Sequence, residues 1–328
     1  MMRPEPLLRP EPLLRIDGLH IAFKAGRQWR DVVRGVDLRV APGEVVGLVG
    51  ESGSGKSLTA LAILQVLPAG ARISSGRIVF DGTDLVGLPQ RAMNERRGRD
   101  IAMIFQDPLT ALNPVIPIGR QIYDSLRTHQ VIGHKAALAR IEELLALVGI
   151  RHPRERMRAY PHELSGGMRQ RVMTALAVSS NPKLLIADEP TTALDVTVQA
   201  QVIGMLDRIR RDLGIAVLFI SHNLDLIAEI CDRVSVMYAG KVVESSSVET
   251  VFEAPRHPYT RQLLRCIPRL DASTGPMPTI PGLPPRFGAD LVGCPFAPRC
   301  DGARDLCRTS EPPTWREPGH LAVCWDAA

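Results

Sequence analysis

Along this chain of 328 residues, short apolar runs alternate with helical periodicities from about Leu14 to Glu253. That alternation predicts an α/β domain built on a largely parallel sheet. Val45 to Val49, Lys183 to Ala187, Ile215 to Ile220 and Val234 to Tyr238 are continuous apolar stretches of strand length, so they read as central strands buried on both faces. Ile73 to Asp81 and Lys241 to Glu244 instead adjoin Ser-Gly, Asp-Gly and Ala-Gly turns, which predicts hairpin strands in a smaller antiparallel layer. Between Lys135 and Gly149 the apolar Leu138, Ile141, Leu144, Leu145 and Val148 recur on one helical face, and Gly149 is placed to end the helix. A helical insertion over about residues 107–180 is expected.

The two ends differ from this middle. Arg3-Pro-Glu-Pro-Leu-Leu8 is repeated as Arg9-Pro-Glu-Pro-Leu-Leu14, and its prolines block a regular helix, so residues 1–14 read as a loose tail. Residues 255–328 hold 13 of the 27 prolines and five of the six cysteines. They read as a separate C-terminal appendage to a main domain over 15–254. With 45% hydrophobic and 23% charged residues the composition is that of an ordered globular protein. No apolar run reaches the roughly 18 to 20 residues of a membrane helix. Arg15, Asp17 and His20 interrupt the N-terminal apolar patch, which predicts a cytosolic chain with reduced cysteines. A net charge of +5, scattered along the chain, is too small for a nucleic-acid footprint.

Two motifs carry the chemistry. Gly50-Glu-Ser-Gly-Ser-Gly-Lys-Ser57 fits the phosphate-loop pattern and lies between a predicted strand and the helical run Leu58 to Val66. Gly50, Ser52, Gly53 and Gly55 let backbone amides curl round phosphates, Lys56 reaches the β and γ phosphates, and Ser57 is placed for Mg²⁺. Leu184-Leu-Ile-Ala-Asp-Glu-Pro190 is an apolar strand ending in two carboxylates. Asp188 is then a candidate Mg²⁺ ligand and Glu189 a candidate base for water, because buried carboxylates at a strand end need such partners.

Leu164-Ser-Gly-Gly-Met-Arg-Gln170, about twenty residues before the second motif, resembles the signature of the ABC ATPase family. The resemblance implies a P-loop fold with a RecA-like parallel-sheet core, an antiparallel β layer and a helical insertion. It also implies that Ser165, Gly166 and Gly167 bind the γ-phosphate of ATP held by the opposite subunit of a dimer. The remaining family elements appear in order. Gln106 in Phe105-Gln-Asp-Pro108 resembles the Q-loop residue, a Mg²⁺ ligand and γ-phosphate sensor; Ala193-Leu-Asp195 resembles the D-loop; His222 resembles the switch histidine. Phe23 resembles the aromatic that stacks on adenine, with Trp29 as its rival. Met168 departs from the glutamine usual at its position, outside the phosphate-binding part.

His257-Pro-Tyr-Thr-Arg261, Gly293-Cys-Pro-Phe-Ala-Pro-Arg-Cys300 and Phe105 to Val115 are similar to ATPases that serve bacterial oligopeptide and dipeptide importers. The implied assembly is peripheral on the cytoplasmic face of the cell's inner membrane. It contains a second homologous ATPase, two transmembrane permeases and an extracytoplasmic substrate-binding protein, with no nucleic acid. The alternative is a soluble ABC ATPase acting on nucleic acid or ribosomes. Only about 108 residues separate Lys56 from Leu164, too few for the long coiled coil of the repair ATPases. Cys294, Cys300, Cys307 and Cys324 are candidate ligands of a [4Fe–4S] cluster, with Zn²⁺ or unligated thiols as alternatives. Cys231 and Cys266 read as ordinary buried thiols.

Overall fold

The computed structural model describes residues 11–107, 111–192, 194–267, 279–286 and 288–327. Pro108, Ala193 and the first copy of the N-terminal repeat lie outside them. Two sheets organise the chain. A four-stranded antiparallel sheet has the order β2-β1-β4-β5, from β1 (Leu14–Ala25), β2 (Gln28–Val40), β4 (Ala71–Phe80) and β5 (Thr83–Asp84). The eight-stranded sheet has the order β11-β12-β10-β9-β3-β8-β7-β6. Its parallel centre comprises β3 (Val45–Val49), β6 (Ile101–Ile104), β7 (Leu184–Asp188), β8 (Ala216–Ser221) and β9 (Arg233–Tyr238). β10 (Lys241–Ser247), β11 (Thr314–Glu317) and β12 (His320–Val323) add to it in antiparallel fashion.

Every residue of β3, β7 and β8 is buried, as expected for strands covered on both faces. Alternate side chains feed two cores. Val46, Leu48, Ile186, Leu218 and Ile220 face the antiparallel sheet and α1 (Lys56–Ile63); α2 (Gln90–Arg96) adds Met93. Val45, Val49, Leu185, Val217 and Phe219 face the other helices. These begin with the insertion, α3 (Ile118–His129), α4 (His134–Leu147), α5 (Pro153–Arg156) and α6 (Gly166–Ala177). α7 (Val196–Leu213), α8 (Leu224–Ile230), α9 (Val248–Glu253), α10 (Pro258–Arg265) and α11 (Asp305–Thr309) follow. Among the described residues no helix is long and apolar enough to cross a membrane.

Four expectations need correction. Leu13 and Leu14 are not tail: Leu14 opens β1 fully buried, and the Leu13 carbonyl accepts from Asp81 N–H at 2.8 Å. Proline before them bars a helix but not an extended strand, and two leucines gain by burial. Lys241 to Glu244 joins the main sheet rather than the smaller layer, because the tight turn at Ala239 and Gly240 returns it alongside β9. Leu138 lies 41% exposed although its helix forms as expected; Ala137, Ile141, Leu144 and Leu145 make the buried stripe, and Leu138 lines a groove with Tyr123 and Met157. Finally, the C-terminal appendage is not separate. β12 pairs with β10, and the fully buried Glu244 accepts from Arg256 N–H at 2.6 Å and His257 N–H at 2.9 Å, with His320 Nε2 also at 2.9 Å. An open sheet edge and a buried carboxylate both require partners, and Arg256, His257, His320 and β12 supply them.

Candidate active site

The phosphate loop leaves β3 at the centre of the sheet and enters α1. Its glycines are dictated by close approach. Gly50 has φ 153°, and an added Cβ would lie 2.0 Å from the Met237 carbonyl oxygen on β9. Gly55, with φ 105°, precedes α1, and its added Cβ would meet Met237 Cε at 2.8 Å. Ser52 and Gly53 form the exposed tip. Lys56 is buried, and its Nζ donates to the carbonyls of Gly50 at 2.7 Å and Glu51 at 3.1 Å. Burial lowers the lysine pKa, while Glu189, Asp188 and Glu51 oppose that shift.

Three further strand ends bring polar groups to the same edge of the sheet, where open α/β folds form their sites. β7 ends at Asp188, which accepts from Ser57 Oγ at 3.1 Å. Desolvation raises the Asp188 pKa, and Ser57 works against it. Glu189 follows in a left-handed conformation, φ 47°, with its N–H fixed to the Ile220 carbonyl of β8 at 2.9 Å. Its Oε2 accepts from Gln106 Nε2 at 3.2 Å, beyond β6, and from Thr192 Oγ1 at 2.9 Å. His222 Nδ1, beyond β8, stands 3.3 Å from the same oxygen. The His222 loop is set by Asn223 N–H donating to Ser221 Oγ at 2.9 Å. Lys56, Ser57, Gln106, Asp188, Glu189 and His222, spread over the sequence, thus meet in one place. Thr192 was missed; its only signal is a hydroxyl one turn after Glu189.

Ser165, Gly166 and Gly167 are not part of that gathering. Ser165 caps α6, a helix of 12 residues, by accepting from Met168 N–H at 3.4 Å. Among the described residues no hydrogen bond or ion pair joins this helix start to the phosphate loop. It packs instead on α7, since a Cβ at Gly167 would meet Val198 at 2.9 Å. Asp195 caps α7, accepting from Val198 N–H at 2.9 Å. Phe23 stands opposite Arg30 and Ala71 in the antiparallel sheet. Trp29 carries the Arg72 guanidinium 4.0 Å over its ring.

Cys294, Cys300, Cys307 and Cys324 line one cavity of about 220 Å³ together with His257, Gln262 and Trp325. Burial raises the thiols of Cys294, Cys300 and Cys324. Among the described residues no group of three or more His, Cys, Asp or Glu is arranged to hold a metal ion, so this donor set fits a metal in chemistry but not in its present spacing. Cys231 is buried as expected, whereas Cys266 is only half-buried.

His257 is enclosed, and burial, aided by Arg261, pushes its pKa down to about 3. Its Nδ1 accepts from Tyr259 N–H at 3.0 Å. Unfolded histidine titrates near 6.5, so between these values the unfolded chain holds the extra proton. Stability therefore falls as pH drops from about 6.5, by up to ~1.4 kcal/mol per pH unit. His257→Gln is expected to flatten this part of the dependence; parallel curves of unfolding midpoint against pH for the two proteins would exclude the effect.

A profile of the ABC transporter family matches residues 33–192, and one of the oligopeptide/dipeptide transporter C-terminal region matches residues 243–307. A probable peptide ABC transporter ATP-binding protein of Sinorhizobium fredii is 49% identical over 294 residues, 89% of this chain and 88% of its own length. The dipeptide transport ATP-binding protein DppD of Bacillus subtilis is 44% identical over 312 residues, covering 94% and 93%. An ATP-binding cassette solved as a dimer in a post-hydrolysis state, with ADP and Pi, superposes with TM-score 0.65 at 23% identity, over 72% of this chain and 98% of that one. cbiO1 of Clostridium perfringens, part of an ABC transporter complex, gives TM-score 0.64 at 26% identity, over 74% and 92%. Fold and site together define a P-loop ATPase of the cassette class. The chain belongs to the ABC transporter family of ATP-binding proteins and carries the C-terminal region of its oligopeptide/dipeptide branch.

Proposed function

We propose that this chain is the ATP-hydrolysing subunit of an importer for di- and oligopeptides, working as a cassette dimer on the cytoplasmic face of the membrane. The carrying observation is the convergence of Lys56, Ser57, Gln106, Asp188, Glu189 and His222 at the carboxyl ends of neighbouring strands. Amides of Gly50 to Gly55 and the Lys56 ammonium hold the β and γ phosphates. Ser57, Asp188 and Gln106 would hold Mg²⁺, which offsets phosphate charge in the bound state. Glu189 takes a proton from the attacking water, and His222 and Thr192 orient the carboxylate that does so. Phe23 is the proposed adenine contact and Asp195 a proposed interface residue.

Ser165, Gly166 and Gly167 lie away from this chain's own phosphate loop, at a helix start whose first amides have no backbone acceptor within the helix. That placement supports their use by a second cassette, whose ATP they cover. Nucleotide then acts as an interfacial ligand that favours the closed dimer until hydrolysis releases it. The second cassette is proposed to be a homologous subunit, and the closure to move two permease subunits fed by an external binding protein. Peptide cargo rests on the C-terminal match and on the names of the relatives. Tagged Glu189→Gln protein, isolated with Mg-ATP from detergent-solubilised membranes, should bring two polytopic permeases and a second ATPase. Recovery of ribosomes or nucleic-acid enzymes alone would replace this reading by the soluble alternative.

We also propose Cys294, Cys300, Cys307 and Cys324 as ligands of a [4Fe–4S] cluster, with Zn²⁺ as the alternative metal. Support comes from the donor chemistry and the shared cavity; ligation requires the thiols to draw closer than they stand. Anaerobic purification should yield iron, acid-labile sulfide and broad visible absorption. Their absence removes the cluster, and zinc in their place selects the alternative.

A further inference from the structure

Glu51 of the phosphate loop is gripped by two residues of the C-terminal segment. Its N–H donates to Tyr259 Oη at 2.9 Å, on α10. Its carboxylate receives a two-pronged contact from Arg299, Nη1 to Oε2 at 2.6 Å and Nη2 to Oε1 at 2.9 Å. Both partners come from the C-terminal segment, more than 200 residues along the chain.

The grip is itself held. The Arg299 side chain is 3% exposed, its Nε donates to the Pro281 carbonyl at 2.9 Å, and Nη2 also reaches the Ile280 carbonyl at 3.3 Å. Gln262 Nε2 donates to the Arg299 carbonyl at 3.3 Å. Tyr259 is fully buried and packs with Tyr238 and Phe296, ring centroids 4.6 and 5.4 Å away. A forked arginine–carboxylate contact fixes orientation as well as distance. On the loop side, the Glu51 carbonyl accepts from Lys56 Nζ, so anything that holds Glu51 also sets the frame in which that ammonium lies.

We propose that Arg299 and Tyr259 are positioning residues for nucleotide binding, acting through Glu51 to preorganise the phosphate loop and to neutralise a carboxylate beside the phosphates. Two physical effects work together. A loop rich in glycine has many conformations to lose when its amides must converge, and bracing it during folding removes that cost from the binding step. Glu51 also places a negative charge next to the seat of a polyanion, and the guanidinium cancels it. Loss of Arg299 therefore both loosens the loop and uncovers a repulsive charge. This inference rests on the phosphate site assigned above.

The test is equilibrium binding of fluorescent Mg-ADP to the full-length chain, with melting temperature recorded for each variant. Arg299→Ala should weaken binding about tenfold or more, and Arg299→Lys, which keeps the charge but loses the fork, by less. Adding Glu51→Gln to Arg299→Ala should recover part of the affinity, because it deletes the uncovered charge. Tyr259→Phe retains the packed ring and removes only the acceptor of the Glu51 N–H; it should weaken binding about threefold and serves if Arg299→Ala does not fold. Arg299→Ala and Tyr259→Phe both binding within error of the wild type, while Lys56→Ala loses nucleotide, overturn the inference. So does a loss in Arg299→Ala that Glu51→Gln fails to relieve. Wild-type affinity in Lys56→Ala would instead overturn the phosphate-site assignment itself.

Discussion

Glu189→Gln is expected to lower steady-state phosphate release by about 10² to 10⁴, the usual worth of a placed general base. Nucleotide affinity should change little. The reason lies in how the side chain is held: Oε2 is an acceptor for Gln106 and Thr192 with His222 beside it, and a glutamine oxygen can still accept from these donors. What an amide cannot do is take a proton from water. The variant should therefore accumulate with uncleaved ATP as a cassette dimer, visible as an ATP-dependent shift in molecular mass. Unchanged phosphate release would remove Glu189 from its assigned role, and a large loss of ATP affinity would show that it serves binding instead.

Asp188→Asn should move activity and stability in opposite directions. Burial is the largest influence on the Asp188 carboxyl and raises its pKa despite the Ser57 hydrogen bond and the nearby Lys56 ammonium. A folded-state pKa above the unfolded value means that the ionised form is penalised by folding, so at neutral pH this charge costs stability. Asparagine keeps the shape and can still accept from Ser57 Oγ, but carries no charge to desolvate. The nucleotide-free variant should unfold at a higher temperature than the wild type. On the proposed role of Asp188 as a Mg²⁺ ligand, hydrolysis should fall by about 10² or more in this variant, because an amide would not supply the charge that a hard cation needs. Thermal scans without nucleotide and phosphate release across a Mg²⁺ titration test the two halves separately. A lower melting temperature would mean that attraction to Lys56 outweighs burial; activity restored only by excess Mg²⁺ would identify a weakened metal site.

The central strands were legible because they are buried on both faces, where an unbroken apolar run has few other uses. Val45–Val49 coincides with the predicted run, and β7, β8 and β9 differ from theirs by single residues at the ends. β6 was not singled out, since four residues, Ile101–Ile104, are too short a run to stand apart from their surroundings. The residues of the candidate site that gather beside Lys56, namely Ser57, Gln106, Asp188, Glu189 and His222, were singled out through local motifs, each motif at the end of a strand. Thr192 was not, because a threonine in a turn is ordinary until its hydroxyl is seen on Glu189. The grip of Tyr259 and Arg299 on Glu51 leaves no local trace at all: it joins positions whose separation in sequence says nothing of their distance in space. The same holds for β12, whose four residues, His320–Val323, are too few to declare which edge they cover.

That last pairing also bears on the order in which the molecule is made. β10 leaves the ribosome roughly 70 residues before β12, a lag of ~4–15 s at ordinary rates of synthesis. During that interval the nascent chain already holds its phosphate loop, both carboxylates and the helical insertion, yet β10 is an edge without β12 beside it and Glu244 lacks His320. Such an edge invites pairing with other chains. A message cut short upstream of β12 would thus yield a product prone to aggregation and proteolysis, and a stable subunit would form only after β12 has been made.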